Sequence, residues 1–166
     1  MKILALDPGS VYTGFAVGYD GQYVHSGVIV LQTRGRSKRR TIWARCALLY
    51  SQLSALIDDV APDVVGVEWP MGPGGNAAKI KLGMVLGVIA TCAGQRDLPV
   101  FEVNPTEVKQ TGCHKGALAY AGAFAGRKVR KDEADAIGVF LALYSKIRHI
   151  SIQEALDTWG DSWSTR

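Results

Sequence analysis

The run Val64-Val65-Gly66-Val67 constrains the fold more than any other stretch of this chain. It is short, apolar and barely alternating, which describes a strand buried on both faces, as in a parallel sheet covered by helices. Glu68 ends the run. Trp69–Asn76 is then loop, because it contains Pro70, Gly72, Pro73, Gly74 and Gly75. Parallel neighbours need long, usually helical, crossovers, and the flanking segments supply them. Thr41–Val60 places Ile42, Ala44, Leu48, Leu49, Leu53, Leu56, Ile57 and Val60 at helical spacing before Ala61-Pro62-Asp63 stops it. Ala77–Ala93 is predicted as a second helix.

Three strands precede these elements: Lys2–Asp7, Thr13–Tyr19 and Tyr23–Leu31. Asp20-Gly21 between the last two is a strong hairpin signal. Pro99–Val103 is a fifth strand, and Asn104-Pro105-Thr106-Glu107 opens a helical turn with Asn as cap and Pro at the first position. Gly112–Gly126 is rich in small residues and receives no assignment. Lys131–Ile147 is predicted as an amphipathic helix laid on the sheet by Ala136, Val139, Phe140 and Leu143. The segment after it holds Trp159 and Trp163 and forms one short helix or frays. The result is an α/β fold, a mixed five-stranded sheet with helices on its faces. Residues 1–150 form one domain and residues 151–166 a tail.

With 166 residues, 48% of them apolar and 20% charged, the chain suits a single globular domain. No apolar run is long enough to span a bilayer, and the N-terminus lacks a signal peptide's apolar region and cleavage site. The expectation is a cytoplasmic protein, or a nuclear or organellar one after import. Cys46, Cys92 and Cys113 are odd in number and scattered, as are His25, His114 and His149, so neither a disulfide framework nor a zinc pattern is present. Any metal would be held by oxygen, which suits Mg²⁺ or Mn²⁺. The net charge of +4 is unevenly spread. Arg34, Arg36, Lys38, Arg39 and Arg40 cluster in one segment, and Lys109 to Lys131 carries six Lys or Arg and no acid. Such blocks fit a polyanion partner as well as a solvated surface.

Four acids then stand out. Asp7 ends the first strand just before Pro8-Gly9, and Glu68 ends the strand taken as central. Asp132 and Asp135, at i and i+3 near the start of the last strong helix, share a face; Glu133 points elsewhere. Each has a plain structural reading alone: Asp before a turn, a strand-ending Glu, acids at a helix N-terminus. If the first and fourth strands are neighbours and the helix crosses both, the four converge. Carboxylates in one pocket repel and shift one another's pKa values. Divalent cations relieve that repulsion, and a pair of them is the usual clamp for in-line phosphoryl displacement. Asp58, Asp59 and Asp63 read as solvated.

Leu6-Asp7-Pro8-Gly9-Ser10 with Thr13-Gly14, Gly66-Val67-Glu68, Asn76-Ala77-Ala78 with Lys81-Leu82-Gly83 and Gly87-Val88, Leu98-Pro99-Val100-Phe101-Glu102, Val108-Lys109-Gln110-Thr111 and Asp132-Glu133-Ala134-Asp135-Ala136 resemble, in family order, the RuvC family of Holliday-junction resolvases. The resemblance implies an RNase H-like fold, a homodimer, and metal-dependent nicking of two strands at a four-way DNA junction. It implies Asp7, Glu68, Asp132 and Asp135 as catalytic acids and ligands of two Mg²⁺, with Mn²⁺ able to substitute. The expected DNA-contacting residues are Arg34, Arg36, Lys38, Arg39, Arg40, Lys79, Lys81, Lys109 and Lys115, together with Trp69, Met71 or neither of them in the place of the family's stacking residue. Three departures stand out. The segment between Thr111 and Asp132 is shorter than in bacterial members, the loop after Glu68 reads Trp-Pro-Met-Gly-Pro-Gly-Gly, and the Trp-containing tail has no counterpart. This compact form resembles phage-encoded versions.

Two other classes compete. An ATP-binding module of the actin and sugar-kinase type shares the opening strand with its Asp and Gly, but normally needs a second similar domain. A junction-binding scaffold without catalysis is the other, and the presence of all four acids weighs against it.

Overall fold

The computed structural model describes residues 1–32, 40–69, 75–114, 116 and 118–160. Five strands, β1 (Lys2–Asp7), β2 (Tyr12–Tyr19), β3 (Gln22–Val30), β4 (Val64–Glu68) and β5 (Val100–Val103), form one sheet in the order β3-β2-β1-β4-β5. β1 runs antiparallel to β2 and parallel to β4; β2–β3 is antiparallel and β4–β5 parallel. The sheet is therefore mixed, with β4 at its parallel centre as the unalternating Val64–Val67 run requires. The hairpin turn carries positive φ at both Asp20 (47°) and Gly21 (82°), the backbone that Asp-Gly favours.

Alternation along the strands sorts the core into two layers. Leu4, Leu6, Val17, Ile29, Val65 and Val67 face α1 (Ile42–Val60) and α2 (Asn76–Gly94), meeting Leu49, Leu53, Ile57, Val85 and Ile89. Ile3, Ala5, Ala16, Val64 and Val103 face the opposite way, toward α5 (Lys131–Arg148). Thr41 caps α1 by accepting from Ala44 N–H at 3.2 Å, and Ala61 ends it in the left-handed region. α3 (Pro105–Gln110) starts with Pro at its first turn, and the Glu107 side chain accepts from Asn104 N–H at 2.8 Å.

Three findings differ from the sequence reading. α5 is not amphipathic in its surroundings: every residue from Glu133 to Ser145 is buried. α3, α4 (Leu118–Ala125) and α6 (Ile152–Gly160) cover the side turned away from the sheet. α4 itself fills the small-residue segment that the sequence left unassigned. Where the sequence reading found no apolar run long enough to span a bilayer, α2 is by length and composition the one helix among the described residues that could cross a membrane, with a mean hydropathy of 1.5. Its charges, Lys79 and Lys81, sit in the first two turns and leave Leu82–Gly94 without any. Only 22% of an eighteen-residue stretch of this helix is buried. α6 packs on α5 and β3, with Ala155 fully buried.

Candidate active site

Four of the five strands point their C-terminal ends to one edge of the sheet. β1, β4 and β5 are parallel, and β3, antiparallel to β2, runs with them. The turn after β1, the ends of β3 and β4 and the start of α3 all lie there. Polar groups at the carboxyl ends of strands are the usual site positions in open α/β sheets.

The turn after β1 is rigidly built. Gly9 has no room for a side chain, since an added Cβ would lie 2.1 Å from the Tyr12 carbonyl oxygen. Thr13 Oγ1 donates to the Gly9 carbonyl at 3.2 Å, and Arg45 from α1 donates to the Ser10 carbonyl at 2.5 Å. Asp7 is thereby held at the strand end.

The parallel register pairs Leu6 with Val67, so Asp7 and Glu68 are the next residues on adjacent strands. Both continue the alternation of Ile3, Ala5 and Val64 and lie on the α5 face. Asp7 pairs with Gly14 on its other side. There α5 begins: a Cβ at Gly14 would stand 1.9 Å from the Asp132 carbonyl oxygen. Asp132 is half-buried; Asp135, one turn further along α5, is 6% exposed. The fold thus brings the backbone positions of the four acids, from β1, β4 and α5, to one edge and one face. Among the described residues, no three His, Cys, Asp or Glu side chains are gathered closely enough to form a ready-made ion cage. The donor set is wholly carboxylate, the chemistry that hard divalent cations require.

Glu133, read from sequence as pointing away, does so into the fold. It is 3% exposed, accepts from Ser26 Oγ at 2.6 Å and from Arg130 N–H at 3.1 Å, and forms an ion pair with Arg127. Burial pushes its pKa up, but the hydrogen bonds from Arg127, Ser26 and Arg130 and the Arg127 charge outweigh it and hold the carboxyl below its ordinary value. No sequence signal marked it: the capping-box pattern needs Ser, Thr, Asp or Asn three residues before the Glu, and position 130 is Arg.

The expected DNA-contacting residues divide. Arg34, Arg36, Lys38, Arg39, Met71 and Lys115 lie outside the described residues. Arg40 is exposed and donates to the Leu31 carbonyl at 3.1 Å, closing the base of its segment where β3 ends. Lys79 and Lys81 are exposed on α2, and Lys109 on α3. Trp69 directly follows Glu68 and is 40% exposed. It joins Val67, Leu86, Ile89 and Val100 around an apolar trough of about 290 Å³. Arg130, not singled out from sequence, stacks over the Tyr12 ring at 5.0 Å, immediately before the α5 acids.

A family model described as crossover junction endodeoxyribonuclease RuvC matches residues 3–156. The RuvC of Hydrogenovibrio crunogenus is 33% identical over 114 residues, 66% of this chain and 63% of its own length. That of Chlamydia caviae is 34% identical over 119 residues, 69% of this chain and 68% of its own length. The chain thus spans about two thirds of the curated relatives it matches, 63% and 68% in these two. Among solved structures, T. thermophilus RuvC in complex with a Holliday junction substrate superposes with a TM-score of 0.74 at 21% identity, covering 89% of this chain and 96% of that one. Fowlpox virus resolvase, also solved with Holliday junction DNA, gives 0.56 at 14% identity, covering 89% and 99%. These likenesses show the RNase H-like resolvase fold. They agree with the motif order read from the sequence, and the family match leaves no basis for the sugar-kinase alternative. With that match running from the first strand into the last helix, the chain belongs to the RuvC crossover junction endodeoxyribonuclease family.

Proposed function

We propose that this chain is a metal-dependent DNA endonuclease that resolves four-way junctions by paired, symmetric nicks. The observation that carries the reading is the placement of Asp7, Glu68, Asp132 and Asp135, from three separate elements, at one edge of the sheet in a member of the RuvC family. The names of the relatives support the activity, and the junction DNA bound to the T. thermophilus protein supports the substrate class.

On this reading the four acids hold two Mg²⁺, or Mn²⁺ in their place. When bound, such a pair supplies an activated water and stabilisation of the leaving oxygen in an in-line displacement. Asp7 lies in the sheet between Glu68 on β4 and Gly14, beneath Asp132; this order supports it as the shared ligand. The rigid turn after β1 keeps Asp7 at the floor. Arg40, Lys79, Lys81 and Lys109, with the basic residues at 34, 36, 38, 39 and 115, neutralise phosphates and position the junction without reading its sequence. Trp69, or Met71 two residues on in the sequence, stacks on exposed bases at the junction centre. This work belongs in the cytoplasm of a bacterial or phage-infected cell.

Paired nicks on a near-two-fold substrate suit a two-fold dimer, and α2 offers the surface. Its outer face is apolar: Ile80 is 64% exposed, and a Cβ at Gly83 or Gly87 would meet nothing within 4 Å. Glycines there let a second helix approach closely.

The deciding experiment is cleavage of a strand-labelled four-way junction in Mg²⁺, beside linear duplex and flap controls. Asp7→Asn is expected to abolish cutting while holding the junction at wild-type affinity. Wild-type cutting by that variant would remove the acids from the chemistry. Junction binding by the unaltered chain without cleavage, in Mg²⁺ and in Mn²⁺, would make it a scaffold.

A further inference from the structure

Glu133 sits between two of the acids just assigned to metal binding, yet it is turned the other way, into a polar cluster in which it is itself buried. The cluster joins three parts of the chain. Ser26 comes from β3, opposite Ala16 in the register and on the α5 face. Arg127 comes from the connection between α4 and α5. Its backbone N–H donates to the Gly122 carbonyl at 3.0 Å, anchoring it to the end of α4. Its guanidinium donates to the Ser26 carbonyl at 2.8 Å and to Ser26 Oγ at 3.2 Å, and pairs with Glu133. Tyr23 Oη lies 2.7 Å from Ser26 Oγ and extends the cluster along β3.

A buried carboxylate is a poor way to gain stability. Its desolvation offsets much of the attraction to its partner, and an apolar residue of similar volume would pack as well. What such a cluster does supply is direction, because only one placement of the helix satisfies all its members. Here the placement concerns the first turn of α5. One side of that turn is pressed against the backbone of β2 at Gly14, where nothing larger than hydrogen fits. The other side is tied by Glu133 to β3 and to the end of α4. A helix held at both sides of its first turn cannot slide or roll, and Asp132 and Asp135 move with that turn.

We propose that Glu133, clamped by Ser26 and Arg127, is a positioning residue for the metal site: it sets where Asp132 and Asp135 stand relative to Asp7 and Glu68. The inference rests on the reading of those four acids as metal ligands. It assigns Glu133 no contact with metal or DNA. Partners that orient metal ligands from outside commonly change metal affinity or activity by ten- to a hundredfold when lost.

The test measures Mn²⁺ binding to the intact protein by titration calorimetry, with thermal melts alongside and cleavage followed over a range of Mg²⁺. Glu133→Gln keeps the size of the side chain and removes the ion pair. Ser26→Ala removes one donor and leaves the ion pair in place, so it remains informative if the first variant does not fold. Asp58→Ala breaks the Asp58–Arg96 ion pair on the far side of the sheet and serves as a control for lost stability alone. Glu133→Gln is expected to weaken Mn²⁺ about tenfold and to shift the Mg²⁺ dependence of cleavage by a similar factor. Junction affinity without metal stays unchanged, and Ser26→Ala shows a smaller shift in the same direction. Wild-type Mn²⁺ affinity in both variants overturns the proposal. So does an equal loss in Asp58→Ala, which would make the effect one of general stability. Asp7→Asn separates the two levels: if it too binds Mn²⁺ like wild type, the metal-site reading itself has failed.

Discussion

A single hydrogen atom decides how near the sheet α5 can come. Gly14 is the only residue type that allows the Asp132 carbonyl its position, because an added Cβ would lie 1.9 Å from it. The obstacle is backbone, not the end of a flexible side chain, so the helix itself must move. Gly14→Ala is therefore expected to cost roughly 1–3 kcal/mol by overpacking and to reduce cleavage more than junction binding, as read by chemical denaturation and a labelled-junction assay. Glu133 contributes a pH dependence. Its carboxyl lies below the ordinary glutamate value in the fold, with burial opposing and the Arg127, Ser26 and Arg130 hydrogen bonds prevailing. The unfolded chain therefore takes up the proton first. The stabilisation is present above the unfolded glutamate pKa and is lost as pH falls through the depressed folded value. Melts from pH 6 downward should show wild type losing stability more steeply than Glu133→Gln. Cys113 is fully buried, and burial pushes its thiol up to about 12. It should resist alkylation in the native protein and label only on unfolding.

At the scale of elements, α5 and α2 invert what their sequences suggest. α5 carries a conventional apolar stripe, yet it is enclosed on all sides because α3, α4 and α6 close over it. Phe140 is 1% exposed and an added Cβ on Gly18 would stand 2.2 Å from its ring. Phe140→Ala should cost about 3–5 kcal/mol in denaturant unfolding. α2 is apolar enough to be buried throughout and is mostly not. If its outer face is the dimer surface, Ile80→Asp will shift the protein toward monomer in analytical ultracentrifugation while leaving the melt of each subunit nearly unchanged. A dimer that persists in this variant would place the interface elsewhere. Periodicity could not distinguish these cases, because it reports which face of a helix is apolar, not how many elements later pack against it.

For the whole molecule, the notable contrast is between the acids gathered at one edge of the sheet and the basic blocks elsewhere in the sequence. The net charge of +4 is modest, but its arrangement should make junction binding steeply dependent on salt. Log affinity is expected to fall linearly with log salt, and Lys109→Ala to reduce the slope by about 0.9 if that residue meets one phosphate. An unchanged slope would remove Lys109 from the interface. A salt series at fixed Mg²⁺, on the cleavage-dead Asp7→Asn protein, measures this without product formation.

Local chemistry was legible in the chain itself. The Asp20-Gly21 turn, the Asn104 cap and the doubly buried Val64–Val67 strand follow from short-range sterics and hydrogen bonding, so the sequence determined them, and with them the mixed five-stranded sheet. It also singled out the four acids and their family, because motif types and their order survive without knowledge of distances. Tertiary structure alone decided the rest. Only the β1–β4 register aligns Asp7 with Glu68, only the close approach at Gly14 brings Asp132 over the sheet, and only the meeting of β3 with the α4–α5 connection turns Glu133 into a clamp. Ser26 and Glu133 are 107 positions apart, and no local rule of turn, cap or period carries information over that separation.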